Sequence, residues 1–132
     1  MPAGRVLVID DDADVRKLVR VTLVKAGYDV VEAEDGEGGI LAVQASEDPP
    51  KFDVILCDLM MPKVSGWEAI AYFRSHCPSI AVIVMTAKDD VESVLTSFEF
   101  RTVNYLLKPV QPDTLKAAVA KAIGTAKGDR HA

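Results

Sequence analysis

RVLVIDDDAD, residues 5–14, runs apolar from Val6 to Ile9 and then sets Asp10, Asp11 and Asp12 side by side. The first half reads as a parallel strand covered on both faces, because its apolar run is unbroken rather than alternating. The second half is unfavourable by itself: two like charges about 4 Å apart repel by about 4 kcal/mol at an effective dielectric of about 20. A buried strand that ends in three acids calls for a cation.

Similar runs recur at 52–57 (FDVILC), 80–85 (IAVIVM) and 104–107 (NYLL), while YDVVEA at 28–33 alternates more and suits a strand nearer a sheet edge. Helix-period stretches lie between them at 14–25, 37–45, 66–76, 91–100 and 114–126. In the first of these, Val15, Leu18, Val19 and Leu23 are placed on one apolar side. Strict alternation of strand and helix implies right-handed βαβ units and a parallel sheet between two helix layers. The expected fold is therefore α/β, a (βα)5 doubly wound domain. Pro49, Pro50, Pro62, Pro78 and Pro112 all fall between the proposed elements, as breakers.

Ligands of open parallel sheets sit beyond the carboxyl ends of the strands. Those ends carry Asp10, Asp11 and Asp12 on the first strand, Asp58 on the third, Thr86 on the fourth and Lys108 on the fifth. Carboxylates hold a hard divalent cation, and a lysine and a hydroxyl take phosphoryl oxygens. Mg2+ suits such a rim, since one or two carboxylates with waters and phosphate oxygens complete its octahedron. Taken singly, most of these residues have ordinary readings. Asp12 precedes a helix and is expected to be its N-cap rather than a ligand. Asp58 resists such a reading, because it ends the most apolar stretch of the chain, where a bare charge is costly.

The 132 residues, 49% of them hydrophobic with a net charge of −5, suit one soluble domain with one sizeable core. The whole of 1–132 is read as that domain, with its core at about 5–127 and a polar tail at 128–132 expected to fray. An acidic balance argues against a direct grip on nucleic acid. Cys57 and Cys77 have neither metal-ligand nor disulfide spacing and read as two reduced thiols. No run approaches a membrane span and no signal peptide opens the chain, so a cytoplasmic location is expected.

From about residue 5 to 127 the sequence resembles the response-regulator receiver domains of two-component signalling. VIDDDADVR is similar to the family's acidic-pair segment, CDLMMPKVSG fits its D-x-x-M-P-x-x-x-G signature at every defined position, VMTA fits the hydroxyl-bearing strand end and YLLKP the Lys-Pro segment. The resemblance implies a flavodoxin-like sheet of order 2-1-3-4-5, with Asp58 as the phosphoacceptor. It implies Mg2+ bound by Asp10, Asp11, Asp58 and the main-chain carbonyl of Met60, and phosphoryl oxygens held by Lys108 and Thr86. Thr86 and Tyr105 would form the switch, and the face of residues 91–100, Tyr105 and the last helix would meet a downstream target or dimer partner.

The same resemblance implies a cis peptide between Lys108 and Pro109. It also implies a docking face for a histidine kinase or phosphotransfer protein around Ala13, Arg16 and the 110–112 loop, with Met60 and Lys88 tuning phosphoryl lifetime. The chain would catalyse only its own phosphorylation and dephosphorylation. Departures from the pattern are Arg101 in place of a common Gly, Val110 in place of a common Phe, Phe98 and Phe100 on the fourth helix, and Gly38-Gly39, which weaken the second.

Two other readings compete. A small haloacid-dehalogenase-like phosphatase would use Asp10 as nucleophile in a D-x-D pair with Asp12, with Thr86 and Lys108 beside it. Against it, Asp14 stands where Thr or Val is usual, and the D-x-x-M-P-x-x-x-G match goes unexplained. A flavodoxin-like FMN carrier lacks a Gly-rich or Ser/Thr-rich phosphate loop, and its anionic cofactor would meet a negative rim.

Overall fold

A computed structural model describes residues 3–46, 52–59, 61, 66–87, 90 and 104–131, with backbone alone beyond residue 124. The described elements run β1 (Arg5–Ile9), α1 (Ala13–Lys25), β2 (Asp29–Ala33), α2 (Gly36–Ala45), β3 (Val54–Asp58), α3 (Gly66–His76), β4 (Ala81–Ala87), β5 (Asn104–Lys108) and α4 (Pro112–His131). All five strands are parallel, in the order β2-β1-β3-β4-β5. The expected helix at 91–100 lies outside the described residues, as do Met60, Lys88, Phe98, Phe100 and Arg101.

Because side chains alternate along a strand, the sheet builds two cores. Leu7, Ile9, Ile55, Cys57 and Val84 face Val43 of α2 and Ala69, Ile70 and Phe73 of α3. Val6, Val8, Val54, Leu56, Ile83 and Met85 face Val19 and Leu23 of α1 and Leu115 and Val119 of α4. The central strands β1 and β3 are thus buried on both faces, as their unbroken apolar runs require. β5 is the exception among those runs: it is an edge strand, and Tyr105 and Leu107 remain 38% and 46% exposed. On α1, Val19 and Leu23 are buried, but Leu18 lies at the rim of the apolar stripe and is exposed.

The helix ends follow local chemistry. Asp12 caps α1, its carboxylate accepting the Asp14 N–H at 2.9 Å, and Asp35 caps α2 through the Gly38 N–H at 2.7 Å. The other end of α1 closes in a Schellman motif: Tyr28 N–H donates to Leu23 O and Gly27 N–H to Val24 O, with Gly27 at φ 97°. Pro112 is the first residue of α4 rather than a breaker before it, a position where its missing N–H is not needed. The α4 backbone stays helical through His131, past residue 127.

Gly39 has a packing reason that outweighs its weak helix propensity. A Cβ at that position would collide with the Ile9 side chain, which is fully buried and would have to shift to admit it. Gly39→Ala is expected to destabilise the domain by about 1–2 kcal/mol, the overpacking exceeding the roughly 1 kcal/mol that Ala contributes to a helix. Denaturant unfolding checks this. Adding Ile9→Val, which removes the nearest atom, should recover part of the loss.

Candidate functional site

Beyond Ile9, β1 leaves the sheet and its next residue turns inward. Asp10 is fully buried and Asp58, at the end of β3, is 5% exposed. Lys108, the last residue of β5, reaches across β4 to both: its Nζ lies 2.8 Å from Asp10 Oδ2 and 3.4 Å from Asp58 Oδ1. Asp10 Oδ1 accepts the Asp12 N–H at 2.9 Å. Three strand ends therefore deliver two carboxylates and one ammonium to a single point.

Burial alone would lower the Lys108 pKa, but the hydrogen bond and charge of Asp10, followed by those of Asp58, outweigh it and hold the ammonium above its ordinary value. The group stays charged throughout the physiological range. The neighbouring Cys57 thiol is pushed far up, first by burial and then by the charges of Asp58 and Asp10. It donates to the Asp58 carbonyl at 3.4 Å and stays a protonated, unreactive thiol. Cys57 and Cys77 are both free and buried, as their spacing suggested.

Asp11 is exposed on the same turn, and one carboxylate oxygen from each of Asp10, Asp11 and Asp58 lies within 4.8 Å of the others. Asp10 Oδ2 is buried, with the Lys108 ammonium 2.8 Å away as its partner. Three carboxylates that bring one oxygen each to a common point form an all-oxygen donor set, which fits a hard divalent cation. Thr86, 1% exposed at the end of β4, makes a long 3.4 Å contact from its hydroxyl to Ala87 O. The Lys108–Pro109 peptide is cis.

Gly66 of the D-x-x-M-P-x-x-x-G motif opens α3 against the backbone of this site. Its N–H donates to Leu59 O at 3.1 Å, and a Cβ on it would collide with Asp58 O and the Leu59 main chain. The motif supplied this glycine, but the reason for it appears only when α3 is laid on the end of β3. Arg16 is a second case. Expected on a docking face, its side chain is 13% exposed and turned inward, where Nη1 donates to Asp10 O at 2.7 Å. Nothing in the sequence separates Arg16 from the exposed Lys17 beside it.

Residues 6–120 match the family described as the response regulator receiver domain. The chain belongs to that family. The receiver domain of a response regulator from Clostridium thermocellum has the same fold, with a TM-score of 0.83 and 28% identity over 94% of this chain and 97% of that one. The DNA-binding dual master transcriptional regulator RpaA of Synechocystis is 36% identical over 118 residues, 87% of this chain and 47% of RpaA. The alkaline phosphatase synthesis transcriptional regulatory protein PhoP of Bacillus subtilis is 33% identical over 119 residues, 90% of this chain and 48% of PhoP.

The receiver domain thus spans about half the length of these curated relatives. Response regulators of this kind are signalling proteins, and the expected function class and sheet order hold. The phosphatase alternative finds no support. Asp12, which its D-x-D pair needs in the site, instead turns its exposed carboxylate to the α1 backbone. Among the described residues, no helix is long and apolar enough to cross a membrane.

Proposed function

We propose that this receiver domain takes a phosphoryl group from a histidine kinase or histidine phosphotransfer protein onto the Asp58 carboxylate, in the cytoplasm, and passes the change to a downstream protein. The observation that carries this reading is the Lys108 ammonium set between the Asp10 and Asp58 carboxylates at three strand ends. One Asp58 oxygen bonds to phosphorus as the bond from phosphorus to the donor nitrogen breaks. The leaving imidazole keeps that electron pair and is protonated from solvent. Lys108 balances charge on an equatorial phosphoryl oxygen, and the Thr86 hydroxyl exchanges its long bond to Ala87 O for another.

Asp10, Asp11 and Asp58 are the residues that would hold Mg2+, with the Met60 carbonyl, which lies outside the described residues, as the fourth protein ligand. Bound there, Mg2+ supplies charge compensation and in-line alignment. The inward move of Thr86 leaves room for Tyr105, which is half exposed two residues before the β5 partner of Thr86. Tyr105, Leu107, Pro109 and Val110 line an open groove of about 410 Å³ beside α4, on the face assigned to output. The domain carries out no turnover beyond its own phosphorylation and dephosphorylation.

Incubation with acetyl phosphate and MgCl2, followed by intact-mass spectrometry, tests the reading. The expected result is a gain of one phosphoryl group, abolished when the metal is chelated. Lys108→Ala should slow uptake by about a hundredfold, the usual effect of removing one preorganised donor from developing charge. Undiminished uptake by Lys108→Ala would contradict its role.

A further inference from the structure

The inward turn of Arg16 gives it work inside the domain. β1 ends at Ile9, so the peptide that joins Asp10 to Asp11 lies beyond the regular ladder. The Asp10 N–H is held by Ala33 O at 3.2 Å, and the Asp10 carbonyl by Arg16 Nη1 at 2.7 Å. The guanidinium is itself braced, its Nε lying 3.4 Å from Glu32 Oε1 on β2. Glu32 is fixed in turn, since its other oxygen takes Arg20 Nη1 at 2.7 Å. The chain of contacts runs Arg20, Glu32, Arg16, Asp10 carbonyl, and ties α1 and β2 to the turn that carries the acids.

We propose that Arg16, braced by Glu32, is a positioning residue for the acidic cluster. It fixes the Asp10–Asp11 peptide plane, and so directs the Asp10 and Asp11 carboxylates toward Asp58 and sets the affinity of the cluster for a divalent cation. The inference rests on the metal-binding reading above and deepens it. A rigid planar fork suits this task, because it reaches a carbonyl and a carboxylate in fixed directions, which the single ammonium of lysine does not.

The sign of the effect separates positioning from plain electrostatics. Arg16 is a cation close to a cation site, so through charge alone its removal would tighten Mg2+ binding. Through positioning, its removal must weaken binding. Contacts that orient ligands from outside the coordination shell change metal affinity by about 10–100-fold. Arg16→Met is expected near the lower end of that range, Glu32→Gln to have a smaller effect, and the double variant to bind no more weakly than Arg16→Met. Arg16→Lys, which keeps the charge and loses the fork, should fall between wild type and Arg16→Met.

The test is an amide NMR titration of each full chain with MgCl2, with the metal-free spectrum of each variant confirming its fold. About tenfold weaker binding by folded Arg16→Met supports the proposal. Equal or tighter binding overturns it, and so does a lower unfolding temperature with unchanged affinity, which would mark Arg16 as a structural tie only. If the wild-type spectrum shows no Mg2+ response, the metal-binding reading itself fails and this role falls with it.

Discussion

Asp58→Asn is expected to fold as the wild type does and to take up no phosphoryl group from acetyl phosphate. The substitution keeps the volume of a side chain that is 5% exposed at the end of β3, but replaces the carboxylate proposed as the nucleophile by an amide. It also removes one of three carboxylates from the acidic cluster, so the proposed Mg2+ binding should weaken together with uptake. Lys108 keeps its closer partner, Asp10, at 2.8 Å, and the ammonium therefore stays in place. Intact mass after incubation, with circular dichroism as the fold control, reads the result. Uptake at the wild-type rate would move the acceptor to another residue.

Gly66→Ala is expected to produce the largest loss of stability of any single methyl group added to a described glycine. The atoms that its Cβ would meet are the Asp58 carbonyl and the Leu59 main chain, and no rotamer change can move them aside. Either α3 shifts or the end of β3 does. Overpacking of this kind costs about 3 kcal/mol, or on the order of 10 °C in Tm for a domain of this size. Because Asp58 moves with that backbone, phosphoryl uptake should fall by about a hundredfold even in the molecules that fold. Gly124 is the internal control: nothing lies within 4 Å of a Cβ built there, so Gly124→Ala should be neutral or stabilise by up to about 1 kcal/mol. A Tm for Gly66→Ala equal to that of Gly124→Ala would contradict the close approach.

The legible parts of the sequence were those governed by local rules. Unbroken apolar runs located β1, β3 and β4, and an acid before a helix located the Asp12 cap, because burial on both faces and capping each leave a mark within a few residues. Asp10, Asp58 and Lys108 could be named because strand ends in a parallel sheet converge wherever the chain between them goes. Other features depended on which element lies against which. Gly39 reads as a weakness in α2 because Ile9 beneath it is remote in sequence, and Arg16 reads as part of a docking face because its contacts with Glu32 and the Asp10 carbonyl leave no mark in the local pattern. Leu18 and Leu107 read as core because periodicity reports apolar character and not the position of the rim. Pro112 read as a breaker because the same residue stops one helix and starts another.

If the Asp10–Asp11–Asp58 cluster, with Lys108, makes one carboxylate a reversible phosphoryl carrier, that carboxylate can be trapped and located. Borohydride trapping of the phosphorylated protein, followed by peptide mapping with tandem mass spectrometry, tests it most directly. The expected result is a single reduced residue, Asp58, formed only when Mg2+ is present. Label on Asp10 or Asp11, or labelling that persists under chelation, would contradict it.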